Sequence, residues 1–131
     1  MKKLIVTIIP ALLALLVVSG CYKDVTVKVD NSPAVTKPVS FGKDIIPVFT
    51  KSCALSGCHN AGGQAPDLSA ADAYNSLTAG NFLNKTTPAN STLYLWLTGK
   101  EAEAMPFGAD NNPSNINALT LAWITQGAKN N

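Results

Sequence analysis

Two thiols and an imidazole fall within seven consecutive residues, Cys53-Ala54-Leu55-Ser56-Gly57-Cys58-His59. Two cysteines followed directly by a histidine are the groups that covalent haem attachment requires. The thiols become thioethers with the two haem vinyl groups, and the imidazole beside the second sulfur reaches the iron. The usual spacing places two residues between the cysteines. Here there are four, so two extra residues must bulge outward while both sulfurs still reach the porphyrin. Ser56 and Gly57 suit such a bulge, because glycine adopts backbone angles closed to other residues and lets the loop crowd the ring edge.

The chain has three cysteines and one histidine. Cys21 follows Lys2-Lys3, a mostly apolar run from Leu4 to Val18 and the small residues Ser19-Gly20. This order reads as a bacterial lipoprotein signal, residues 1–20, with Cys21 as the acylated first residue of the mature chain. The run contains Pro10 and falls short of the roughly 20 residues a spanning helix needs, so cleavage is favoured over a retained anchor. Export places Cys53 and Cys58 in a compartment that oxidises unmodified thiols. Haem thioethers and a plain disulfide then compete, and the disulfide gives His59 no role. A structural zinc ion wants four thiolate or imidazole ligands. Besides Cys21 the mature chain offers three.

Removing residues 1–20 leaves 111 of 131, enough for one domain. Every basic residue is lysine, and without Lys2 and Lys3 eight lysines face eight acidic residues. A neutral chain with no arginine lacks the clustered positive charge on which nucleic-acid binding leans. It also lacks the bidentate guanidinium that often holds carboxylates. Two haem propionates would have to be met by backbone N–H groups, Lys, Tyr, Trp or Asn.

Several short elements must position these groups. Residues 21–38 show no helical period and read as a flexible tether. Val25, Val27 and Val29 alternate as in a short strand but have no obvious partner. Residues 39–131 read as one all-α domain. Ser40 caps a helix to about Ser52 with Phe41, Ile45 and Phe49 on one face, interrupted or delayed near Pro47. Ser69 caps Ala70 to Leu77, and Asn90 caps Ser91 to Leu97, which ends at Gly99. Ser114 opens the last helix, where Ile116, Leu119 and Trp123 share a face and Gly127 marks the stop. Loops fill 60–67, 79–90 and 99–113. So much loop in a small domain points to a large apolar ligand as part of the core, and hence to a fold that depends on haem for much of its stability.

Met105 is the one methionine left in the mature chain, in Glu101-Ala102-Glu103-Ala104-Met105-Pro106-Phe107-Gly108, 46 residues beyond His59. That separation lets a chain cross to the other face of the ring, and a thioether there raises the potential of the iron. A second imidazole from the same chain is excluded. Lys100, Lys85 and an open position are the alternatives, and a methionine that merely fills a core gap is another.

The chain resembles the monohaem class I cytochrome c-like domains of bacterial lipoproteins over about residues 39–130. The resemblance rests on Phe41 to Lys51 leading into Cys53–His59, and on Ala65-Pro66-Asp67-Leu68. It continues through Leu93-Tyr94-Leu95-Trp96-Leu97-Thr98-Gly99, Met105-Pro106-Phe107-Gly108 and Trp123-Ile124-Thr125-Gln126-Gly127-Ala128. It implies an all-helical domain around one haem c attached through Cys53 and Cys58, with His59 proximal and Met105 distal. It also implies that the first and last helices cross, bringing Phe41 or Phe49 near Trp123. The four-residue spacer departs from the family pattern. Pocket walls are expected from Phe49, Leu55, Leu68, Tyr74, Leu93, Trp96, Leu97 and Trp123, with Tyr or Trp as propionate donors.

The implied function is one-electron transfer by an exported, lipid-anchored carrier facing the periplasm or the cell exterior. Its partners are redox proteins and, through Cys21, the bilayer. The sequence runs a few residues past the last helix, giving the expectation of a stand-alone domain that meets its partners by diffusion or in a complex. Two other classes compete. One is a haem enzyme or sensor with an open or displaceable distal site, for which the chain lacks a second His and any Arg as helpers in peroxide chemistry. The other is a haem-free lipoprotein with a disulfide.

Overall fold

Ser40 ends an extended segment and starts the first helix. The computed structural model describes residues 33–101, 104–107 and 116–131. The apolar run 1–20, Cys21, the tether as far as 32, Gly108 and Ser114 lie outside the described residues. Ser40 has extended backbone angles, its hydroxyl accepts from the Lys43 N–H, and its own N–H donates to the Asp44 carboxylate at 2.8 Å. Each partner thereby satisfies a backbone or side-chain group that the helix start leaves open.

The first turn, Phe41–Ile45, is π-helical, with the Ile46 N–H donating to the Phe41 carbonyl, and it runs into α1, Ile46–Ser52. The interruption expected near Pro47 therefore takes the form of a widened turn ahead of it. Pro47 then lies in the first turn of α1, where its missing N–H costs least. Phe41, Ile45 and Phe49, four residues apart, are each at most 3% exposed.

α2 spans Ala73–Ala79, later than the helix expected from Ala70. Ser69 does not cap it. The Ser69 N–H donates to the Asp67 carboxylate and its carbonyl accepts from Asp72 and Ala73, a side-chain turn that competes with helix. A 3₁₀ turn, Pro88–Asn90, precedes α3, Thr92–Leu97. Ser91 rather than Asn90 holds the cap position, and its buried hydroxyl serves the loop instead, accepting from the Asn84 N–H at 2.9 Å. α4 is Ile116–Thr125, and the chain leaves it at Gly127, φ +100°. Among the described residues every element is helical, which makes the architecture all-α. None of these helices is long and apolar enough to cross a membrane.

Phe41 organises the core. Its ring stacks on Trp123 at 4.8 Å and meets Tyr74 and Phe49 edge-on at 5.4 and 6.3 Å. The first and last helices thus meet at Phe41 and Trp123. The tail after α4 then folds back over this contact. Trp123 Nε1 donates to the Lys129 carbonyl and the Tyr74 hydroxyl to the Ala128 carbonyl. Asn131 accepts from the Phe41 N–H through its side chain and from the Gly42 N–H through its main-chain oxygen. Gln126 takes the Val39 N–H and donates to the Lys37 carbonyl. Residues some 90 positions apart thereby close the first helix start.

Trp123→Phe keeps an aromatic ring against Phe41 and removes the bond to Lys129. The expected cost is about 1–2 kcal/mol, a drop of several degrees in a thermal melt followed by circular dichroism. Trp123→Ala, costing about 3–5 kcal/mol, should abolish the cooperative transition, since that is a large share of ordinary domain stability.

Candidate functional site

α1 delivers Cys53 at its C-terminal end. The Cys53 and Ala54 N–H groups both donate to the Phe49 carbonyl at 2.8 Å, and Cys53 is 8% exposed, at the margin of the core. Ala54 stays packed against the core, and the next three residues swing outward. Leu55, Ser56 and Gly57 are exposed, the Cys58 N–H turns back to the Leu55 carbonyl, and Gly57 has φ +79° with open space where a Cβ would stand. The His59 N–H reaches the Cys53 carbonyl at 3.1 Å. The long spacer is therefore taken up as an external turn, and the backbone of His59 still returns to that of Cys53.

The two thiols are free and unlike. Cys58 is exposed, whereas burial, reinforced by the charge of Cys58, pushes the Cys53 thiol up to about 11. Desolvation dominates because a thiolate loses its hydration where the neutral thiol loses little.

The imidazole of His59 is fixed from one side. Nδ1 lies 3.0 Å from the Pro66 carbonyl oxygen and 3.2 Å from that of Gln64. Carbonyl oxygens only accept, so Nδ1 carries the proton, and in the neutral ring Nε2 keeps its lone pair for a metal. A hydrogen bond of this kind also orients a ligating histidine and raises its basicity. The carbonyls are held in turn. The Leu68 N–H donates to the His59 carbonyl, the Asp67 N–H to the Ser76 hydroxyl on α2, and Leu68 is buried.

Gly63 makes the approach possible. A Cβ there would collide with the Cys58 carbonyl oxygen and come within 2.7 Å of Asn60 Oδ1, yet this closeness lets the Gln64 N–H donate to Cys58 at 2.8 Å. Asn60 Oδ1 is buried and accepts no hydrogen bond from the described residues.

Met105 approaches from α3. Its N–H donates to the Trp96 carbonyl at 3.0 Å, and its half-buried side chain packs against the same cluster that contains Cys53. Cys53, Cys58 and His59 thus share one loop, while Met105 is anchored separately at the end of α3. Lys100 and Lys85 are exposed. Of the expected wall residues, Phe49, Leu68, Leu93, Leu97 and Trp123 are buried in the core, Tyr74 and Trp96 are half-buried, and Leu55 is 47% exposed. Tyr74 and Trp123 give their polar hydrogens to the tail carbonyls, which removes them as propionate donors. A groove of about 370 Å³ lies elsewhere, between residues 34–35 and the α3 and α4 helices.

No protein family, curated protein or solved structure matches the chain. Function therefore rests on the chemistry of the donor set. Among the described residues no three His, Cys, Asp or Glu side chains gather to hold an ion between them. Haem asks for something else: two thiols at the porphyrin edge and one oriented imidazole from the same loop. The residues present fit that demand. Sequence reasoning did not single out Gly63, the Gln64 and Pro66 carbonyls or Ser76. The Gly62-Gly63 pair following the motif was the available signal, but it reads as loop until its neighbours are known.

In the haem-free chain, iodoacetamide at pH 8 should alkylate Cys58 at least ten-fold faster than Cys53, as peptide mass spectrometry would show. Equal rates would contradict the burial of Cys53. Its folded value lies above the ordinary 9.0, so the neutral thiol is favoured on folding. The associated stability is present below pH 9 and is lost as the pH rises towards about 11. Denaturant titrations should show this as a decline of up to about 2–3 kcal/mol that Cys53→Ala reduces.

Proposed function

We propose that this protein is an exported, membrane-tethered c-type cytochrome that carries single electrons on one covalent haem. The observation that carries the reading is the pinned imidazole. A histidine directly after the second of two nearby free thiols has its Nδ1 turned onto two carbonyl oxygens. The carbonyl bonds alone would suit any buried histidine, and it is their combination with the adjacent thiols that points to a ligand.

When bound, the haem supplies a one-electron iron couple. The chain's own residues do the rest. Cys53 and Cys58 would each add S–H across a haem vinyl group, sulfur to one carbon and hydrogen to the other, an addition that consumes no outside oxidant. Cys53 would hold the haem at the core margin and Cys58 would hold it at the surface. His59 presents Nε2, oriented by Pro66 and Gln64. Met105 would offer a soft thioether from the α3 end as a second ligand to the iron, which would leave electron exchange as its chemistry. Leu55, exposed in the bulge, and Phe107, 76% exposed beside Met105, provide apolar surface near the two attachment segments, where redox partners would approach. Acylated Cys21 tethers the domain to a bilayer through residues 22–38. An enzyme or sensor would instead need a distal position that Met105 leaves open.

Oxidised and reduced absorption spectra of the purified exported protein, with a haem-stained denaturing gel, test attachment and ligation together. The wild type should keep haem through denaturation, and Cys53→Ser with Cys58→Ser should lose it. Met105→Ala should keep covalent haem, lose the weak long-wavelength band of an iron–thioether bond and fall in potential. Absence of haem from the wild type would leave a cysteine-containing lipoprotein of another function. Haem without that band would favour the enzyme or sensor.

A further inference from the structure

The geometry points to Gly99 as the positioning residue for the distal ligand, an inference that rests on Met105 being that ligand. Gly99 lies beyond the end of α3 with φ +69°, where any side chain is strained. A left-handed glycine at this place ordinarily does no more than stop a helix. Here a second chain segment depends on it.

The Trp96 carbonyl, left without an intrahelical partner at the end of α3, accepts from the Gly99 N–H at 3.2 Å and also from the Met105 N–H at 3.0 Å. Residue 104 is packed into the same corner. A Cβ on Gly99 would stand 3.3 Å from Ala104 Cβ, 3.6 Å from its nitrogen and 3.7 Å from its Cα. The first distance is tighter than ordinary carbon–carbon contact and the other two are ordinary, and a side chain of one carbon has no rotamer to change, so residue 104 must give by a few tenths of an ångström. The missing side chain of Gly99 therefore lets residues 104 and 105 lie this close to the end of α3. A Cβ there displaces the segment and shifts the Met105 sulfur, and an iron–thioether bond tolerates little displacement.

The test uses the exported, haem-bearing full chain. Gly99→Ala is compared with Gly127→Ala, which imposes a left-handed alanine at φ +100° where nothing lies within 4 Å. Both variants should melt earlier than wild type and keep covalent haem. Only Gly99→Ala should lose the long-wavelength band and drop in reduction potential towards Met105→Ala. Gly99→Asn, cheaper in left-handed backbone but still carrying a Cβ, should melt later than Gly99→Ala and also lose the band. Adding Ala104→Gly to Gly99→Ala removes the closest contact and should restore part of the band. A wild-type band that persists in both Gly99 variants would overturn the inference and leave Gly99 a helix terminator. No band in haem-loaded wild type would overturn the assignment of Met105 itself, and this inference with it.

Discussion

The stack of Phe41 on Trp123 is the contact from which the rest of the domain hangs. It joins the first described helical turn to the last helix, across most of the folded sequence, and closing so long a loop carries an entropic cost. Aromatic burial and a small set of backbone bonds offset it. Gln126 and Asn131 tie Lys37 to Gly42, and the first N–H groups of the helix find acceptors there. Without that closure Phe41 would lose its partners and the Phe41–Ser52 segment would be a three-turn helix on its own, too short to persist in water.

The direction of this segment determines where the chemistry begins. Phe49 is fully buried, and its carbonyl takes the N–H groups of both Cys53 and Ala54. Cys53 is therefore placed by the same packing that holds Phe41. The loop beyond it is built from backbone bonds, from His59 to Cys53, from Gln64 to Cys58 and from Leu68 to His59. Such a ladder needs close main-chain approach, and Gly63 supplies it. The orientation of the imidazole is thus a consequence of core packing on one side and of a missing Cβ on the other.

Much of this was legible in the sequence, and the pattern of what was not has a physical cause. Phe41, Ile45 and Phe49 at spacing four, Ser40 as a cap and Gly127 as a stop are local signals, and the structure follows them. Ser69 and Asn90 failed as caps because neighbouring turns compete for the helix start: the Ser69 N–H goes to Asp67 two residues back, in the segment that supports His59, and Ser91, its hydroxyl turned to Asn84, takes the cap position from Asn90. A cap rule counts residues along the chain and does not register such competition. The same blindness hid Ser76 and the Gln64 and Pro66 carbonyls, since backbone acceptors have no letter in a sequence. Cys53, Cys58 and His59 were visible because thiols and imidazoles are rare and their order is specific.

The four-residue spacer shows how an unusual motif is accommodated. If the extra residues lay along the line from Cys53 to Cys58, they would carry His59 away from α1. Instead the turn from Leu55 to Cys58 directs them into solvent, with Gly57 in left-handed backbone, and the His59 N–H still closes on Cys53. The insertion changes the surface of the loop rather than its base. Its effect falls on what the outside of the protein presents, an exposed Leu55 and an accessible Cys58, while the buried Cys53 and the pinned imidazole keep their relation to the core. A longer spacer therefore leaves the closure of His59 on Cys53 in place and alters the outer face, and under the proposed function it is at that face that machinery attaching a haem, or a partner receiving an electron, would meet the protein.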